Sequence, residues 1–171
     1  MSMKSISPKL VVVFGLPGTG KTTFARALSQ ELGWRHLNTD VIRAGLGKRK
    51  QYDEQTKASI YQKMLDLTQT ELERKKGVVL DGTFYREALR DSFRELGSRH
   101  GIPLKWIQVC AAEGIVRDRV STERPYSEAD FQVYKKIQEA FEPLREPCLR
   151  VYSDREELPS MIQKSLAFID Q

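Results

Sequence analysis

Leu10-Val11-Val12-Val13-Phe14 is an unbroken apolar run rich in β-branched residues, the pattern of a strand buried on both faces, as parallel strands are. Directly after it, Phe24, Ala25, Leu28 and Leu32 recur at helical spacing from Thr22 to Leu32, and Gly33 stands where a glycine commonly ends a helix. Trp34 to Leu37 reads as a short strand and Asp40 to Leu46 as a short helix. A longer helix carries Ile60, Tyr61, Met64, Leu65, Thr68 and Leu72 on one face and is expected to stop at Gly77. Val78 to Asp81 is the next strand, followed by a helix around Ala88, Leu89, Phe93 and Leu96 and a strand from Leu104 to Cys110. Ala112 to Glu123 and Ser127 to Phe141 read as helices, the second opened by Ser127 with Asp130 three residues on, in the manner of a capping box. Leu149 to Tyr152 is a last short strand. The final helix has Pro159 near its start, where proline is tolerated, and carries Met161, Ile162, Leu166 and Ile169. Strands separated by helices need crossover connections, so the pattern predicts an α/β fold: a five-stranded parallel sheet with helices on both faces.

The turn between the first strand and the first helix carries chemistry. Gly15-Leu16-Pro17-Gly18-Thr19-Gly20-Lys21-Thr22 matches G-x-x-x-x-G-K-[ST] at every defined position, and it has the strand-before, helix-after context that gives the motif meaning. Glycines let the backbone curl until several N–H groups point inward at phosphate oxygens, at the positive end of the following helix. Gly15, Pro17, Gly18, Thr19, Gly20, Lys21, Thr22 and Thr23 are therefore the expected nucleotide-binding residues. Lys21 is expected to reach the β- and γ-phosphates of ATP, and Thr22 to ligate Mg²⁺ through its hydroxyl. Val78 to Asp81 ends a strand in a carboxylate, where a second Mg²⁺ ligand belongs. Asp81-Gly82 could instead form a hairpin turn, or Asp81 could cap the next helix. The hairpin conflicts with the helical period of the residues that follow.

After the second strand comes Asn38-Thr39-Asp40-Val41-Ile42-Arg43. A carboxylate there can face the triphosphate across the crevice at the strand ends. In that role Asp40 takes the proton of an attacking hydroxyl and Arg43, one turn on, holds an anionic acceptor. The alternative is an N-cap at Asp40 and a surface charge at Arg43, and spacing alone leaves both open. Asn38 is the single asparagine of the chain, which removes the N-K-x-D segment of a guanine-reading switch.

Length and composition narrow the setting. The 171 residues, 40% hydrophobic and 30% charged, fit one folded domain, taken as residues 1–171 with a lid segment at about 112–128. No apolar stretch near the N-terminus is long enough for a span or a signal peptide, so no membrane contact and a cytoplasmic location are expected. Cys110 and Cys148 have no metal or redox spacing and are expected as buried free thiols in strands. The net charge is +5, yet up to residue 50 nine basic side chains face only two acidic ones, a surplus of seven. The excess is either a solvated basic face or a site for an anionic ligand.

The phosphate loop, Asp40-x-x-Arg43, the strand into Asp81-Gly82-Thr83-Phe84 and the arginine-bearing helix beyond resemble the small P-loop kinases related to polynucleotide 5′-hydroxyl kinase, with gluconate kinase and chloramphenicol phosphotransferase as similar relatives. The resemblance spans about Leu10 to Leu144. It implies a three-layer P-loop NTPase fold with a short helical lid, and the Walker-B strand beside the P-loop strand. It implies Asp40 as general base and Arg43 as acceptor-binding residue in an ATP-dependent kinase. It further implies lid arginines closing over the phosphates, for which Arg119 and Arg124 are the candidates and Arg117 the reserve. No pair among them has the spacing of four residues common in that family. The acceptor stays open between a small hydroxyl compound and a polynucleotide 5′-end. The basic run Lys48-Arg49-Lys50 favours nucleic acid, and the scarcity of aromatic residues beside it does not. A nucleotide-binding regulatory ATPase acting through a partner is the alternative of a different class.

Overall fold

The computed structural model describes residues 6–122 and 128–171. Five parallel strands form one sheet: β1 (Leu10–Phe14), β2 (Arg35–Asn38), β3 (Val78–Asp81), β4 (Leu104–Cys110) and β5 (Cys148–Tyr152), in the order β2-β3-β1-β4-β5. Among the described residues there are seven helices: α1 (Lys21–Leu32), α2 (Thr39–Gly45), α3 (Glu54–Glu73), α4 (Glu87–Arg99), α5 (Glu113–Thr122), α6 (Glu128–Ala140) and α7 (Leu158–Asp170). The expected α/β architecture is present, with β3 beside β1.

The period of two along β1 builds both cores. Leu10, Val12 and Phe14 face one side, where Ile60 and Met64 of α3 and Phe93 and Leu96 of α4 cover them. Val11 and Val13 face the other, against Phe24, Ala25 and Leu28 of α1 and Met161, Ile162 and Ile169 of α7. All five β1 residues are fully buried. Burial of that kind is worth about 1.5–3 kcal/mol per large apolar side chain, which fixes the strand whose C-terminal end carries the phosphate loop.

Several element ends shift from expectation, most by a single residue, as in β2 (Arg35–Asn38, not Trp34 to Leu37) and α2 (Thr39–Gly45, not Asp40 to Leu46). Helix α3 ends at Glu73 and not at Gly77. Lys75 takes the left-handed conformation (φ 58°), and the amide of Lys76 donates to the Glu71 carbonyl at 3.0 Å, closing the helix in the manner of a C-terminal glycine motif. Gly77 instead makes room for an aromatic ring, since a Cβ there would sit 2.3 Å from the Trp34 indole. Strand β5 begins at Cys148, one residue earlier than the pattern indicated. Cys110 and Cys148 are both free but half-buried instead of fully buried: Cys110 closes β4 at the strand end, and Cys148 opens β5, the edge of the sheet. The proposed capping serine, Ser127, lies outside the described residues.

Candidate active site

The C-terminal ends of β1, β2 and β3 open into one cavity of about 570 Å³. Its floor is the phosphate loop. Gly15 (φ 143°) packs so tightly on β4 that a Cβ would lie 2.5 Å from the Val109 carbonyl oxygen. Gly20 is the N-cap of α1 in a left-handed conformation (φ 94°), with no side-chain cap and no acidic residue in the first turn. The first N–H groups of α1 therefore lack a side-chain acceptor, and their positive end is exposed to the cavity. Pro17, Gly18, Gly20, Lys21, Thr22 and Thr23 line the cavity, whereas Gly15 and Thr19 shape the loop from beneath. Thr19 is buried and its hydroxyl donates to the Leu16 carbonyl at 2.9 Å. The Lys21 ammonium donates to the same carbonyl at 2.8 Å. Burial pushes the Lys21 ammonium below its ordinary range, while the carboxylates of Asp81 and Asp40 pull in the opposite direction.

Asp81, 1% exposed, closes β3 and lines the cavity beside Thr22. It makes no hairpin and caps no helix: α4 starts six residues later, with Arg86 as its N-cap. Its Oδ2 accepts from Asn38 Nδ2 at 2.7 Å and lies 2.9 Å from His36 Nε2. The same Asn38 amide donates to Thr22 Oγ1 at 3.2 Å. One amide thus holds both expected metal-binding groups, a hydroxyl and a carboxylate, in a single cluster. These are hard oxygen donors of the kind magnesium takes, so the residues present fit that ion. Asn38 reaches Asp81 because strand register sets the two side by side on β2 and β3.

Asn38 also removes the N-cap alternative for Asp40. Its Oδ1 accepts from the Val41 amide at 2.9 Å, so Asn38, and not Asp40, caps α2. The Asp40 side chain is 76% exposed, lines the cavity and pairs with Arg43 Nη1. Arg43 is not a surface charge: it is buried, its Nε donates to the Gln51 carbonyl at 3.2 Å, and its guanidinium stacks 4.6 Å from the Tyr52 ring centre. Of the candidate lid arginines, Arg119 lines the cavity. It donates to Ser153 Oγ at 3.0 Å and approaches the Gly18 carbonyl at 3.5 Å. Arg117 turns toward α6, with its guanidinium 4.4 Å from the centre of the Phe131 ring. Arg124 lies outside the described residues. Lys48, Arg49 and Lys50 do not line the cavity, and Lys48 donates to Ser59 Oγ at 3.3 Å.

The sequence reading did not single out Asn38, Ser153, Lys57, Tyr61 or Tyr85 as site residues, although all five line the cavity. Asn38 becomes a neighbour of Asp81 only through the pairing of β2 with β3, which the sequence reading did not state. The others come from helix faces and loops with no local signature.

The family model AAA_33, described as an AAA domain, matches residues 10–144. The chain belongs to this AAA domain family. It is 30% identical over 123 residues to an adenylate kinase of Stenotrophomonas maltophilia (strain R551-3), covering 65% of this chain and 66% of that protein. It is 27% identical over 120 residues to a gluconokinase of Gluconobacter oxydans (strain 621H), covering 67% of this chain and 65% of that one. The chain thus spans about two thirds of the length of these curated relatives. The Mycobacterium tuberculosis APS kinase CysC, solved in complex with AMPPNP and APS, superposes with a TM-score of 0.74 at 16% identity, covering 96% of this chain and 99% of that one. This member of the AAA domain family therefore has the three-layer P-loop fold. No helix among its described residues is long and apolar enough to cross a membrane.

Proposed function

We propose that the protein is an ATP-dependent kinase that moves the γ-phosphoryl group to an acceptor hydroxyl. The observation that carries this reading is that one cavity is lined both by the phosphate loop and by the Asp40–Arg43 pair. The uncapped start of α1 and the loop amides bind the triphosphate, and Lys21 swings from the Leu16 carbonyl to the β- and γ-phosphates. Thr22 and Asp81 would hold Mg²⁺, which when bound neutralises phosphate charge. Arg43 fixes the Asp40 carboxylate at the mouth of the cavity. Asp40 takes the proton of the acceptor hydroxyl as its oxygen bonds to the γ-phosphorus, and the bond from that phosphorus to the bridging oxygen breaks to release ADP. Arg119, already against the loop at Gly18, stabilises charge on the transferring group. Arg124 is proposed as a second lid arginine on sequence grounds alone. Names of kinases among the relatives agree with this reading. A regulatory ATPase module needs neither Asp40 nor Arg43, and gives no reason for a buried arginine to hold a carboxylate at this cavity.

The test is transfer of labelled γ-phosphate from ATP to a panel of hydroxyl compounds by the wild type and by Lys21→Ala. Label on an acceptor, lost in a folded Lys21→Ala protein, is expected. Retention of most of the wild-type rate by that variant would overturn the assignment.

A further inference from the structure

The cavity lining outside the phosphate loop has a composition that narrows the acceptor. Besides Arg119, it contains two cations from different helices. Arg43 of α2 is buried, and its Nη2 makes no hydrogen bond among the described residues. Lys57 of α3 has a side chain 21% exposed, and its ammonium donates to the Tyr85 hydroxyl at 3.2 Å. Glu54 offsets Lys57 only weakly, since it stands 3.5 Å away, is itself 66% exposed and also pairs with Arg86. Between and around these cations the walls are aromatic and aliphatic. Tyr61 and Tyr85 are buried, with their hydroxyls engaged by the Phe84 amide and by Lys57 respectively. Tyr52 is 51% exposed although Arg43 covers part of its ring. Helix α6 contributes Val133 and Ile137 to the lining.

Resting on the kinase reading, we infer that the acceptor is a small molecule that joins a flat ring to an anionic group, bound by Arg43 and Lys57 at the anion and by Tyr52 at the ring. A half-exposed tyrosine in a cavity also lined by branched aliphatic side chains rewards a planar apolar face. Two cations of low exposure, one with a guanidinium nitrogen to spare, suit an anion that accepts several hydrogen bonds, such as a phosphate monoester. A linear polyhydroxy acid fits poorly. Its hydroxyls need several paired polar side chains, whereas outside the phosphate loop, the cations and the tyrosines, the described lining residues Asn38, Asp81, Ser153 and Glu156 are already hydrogen-bonded within the protein, which leaves Thr39, Asp40 and Thr83. Polar groups left unpaired against Val133, Ile137 and the tyrosine rings would be costly.

The test is calorimetric titration of the full chain with AMPPNP and Mg²⁺ held saturating, so that the triphosphate site is filled throughout. The probes are adenosine 3′-monophosphate (ring and anion), adenosine (ring alone), ribose 5-phosphate (anion without ring) and gluconate (polyhydroxy acid). Adenosine 3′-monophosphate is expected to bind at least about tenfold more tightly than each of the others, the scale of one charge-assisted contact or one stacked base. Lys57→Met should weaken it by about tenfold while changing adenosine less than about twofold, and Lys57→Arg should keep it within about threefold. Tyr52→Ala should weaken both ring-bearing probes and leave ribose 5-phosphate unchanged. Gluconate or ribose 5-phosphate binding as tightly as adenosine 3′-monophosphate overturns the inference, as does no binding of adenosine 3′-monophosphate to a protein that binds AMPPNP. That second result leaves the kinase reading standing. Failure to bind AMPPNP removes both.

Discussion

Arg90→Met keeps much of the volume of a fully buried side chain and removes its hydrogen bonds. Arg90 Nε donates to the Phe84 carbonyl and Nη2 to the Glu142 carbonyl, each at 2.7 Å, and Nη1 pairs with Glu87. Its guanidinium lies 5.7 Å from the Phe14 ring centre and 5.4 Å from that of Phe141. Phe84 is buried in a left-handed conformation (φ 42°), so its carbonyl would be left without a partner, a loss of about 1–3 kcal/mol. The Glu142 carbonyl belongs to an exposed residue and regains most of its hydration, and Glu87 keeps Arg94 at 2.9 Å, so these add about 1 kcal/mol together. The expected total is about 2–4 kcal/mol, a fall in Tm of about 5–15 °C for a chain of this size. Because Phe84 is also held through its amide by Tyr61, at 3.1 Å, loosening the turn should disturb Tyr61 and Tyr85 and raise the acceptor KM more than the ATP KM. Urea denaturation followed by circular dichroism measures the first effect and steady-state kinetics the second. A stability change below about 1 kcal/mol would refute the clamp argument.

Arg119→Ala is expected to lower kcat by about 10²-fold or more with ATP affinity changed only a few-fold, because a phosphate-facing arginine is worth most once transition-state charge has formed; Arg117→Ala, whose side chain lies on Phe131, should stay near the wild-type rate. Parallel kinetics on the two variants check this, and equal losses would contradict the geometry. Asn38→Asp keeps an oxygen to cap α2 but sets a second carboxylate beside Asp81, so Mg²⁺-dependent ATP turnover should fall by about tenfold or more without a large drop in Tm. Thermal melts and Mg²⁺ titrations of turnover separate the two effects.

The sheet, its crossovers and the phosphate loop were legible because each rests on a local signal: an apolar run, a period of 3.6, or a motif of fixed spacing. Asp81 was legible as the polar end of an apolar strand. The α3 terminus was not, since Lys75 adopts a conformation that side-chain type does not announce, and Gly77 makes room for Trp34 just before the start of the neighbouring strand. Arg43 stayed open between an acceptor-binding and a surface role, because burial is a tertiary property. Asn38 joins Thr22 to Asp81 across residues separated by 16 and 43 positions. Lys57, Tyr61 and Tyr85 reach the cavity from α3 and the turn after β3, and nothing along the chain marks those positions as neighbours. Asp40 itself was half legible: its spacing to Arg43 fitted a pair, but only the cap made by Asn38 frees it from a structural role.

Asp40→Asn therefore probes the account most directly, because the substitution keeps the shape and removes the proton acceptor. With labelled ATP and an acceptor that the wild type phosphorylates, kcat is expected to fall by about 10²-fold or more while the ATP Kd stays within a few-fold. An unchanged rate of transfer in Asp40→Asn would contradict the claim that this carboxylate activates the acceptor.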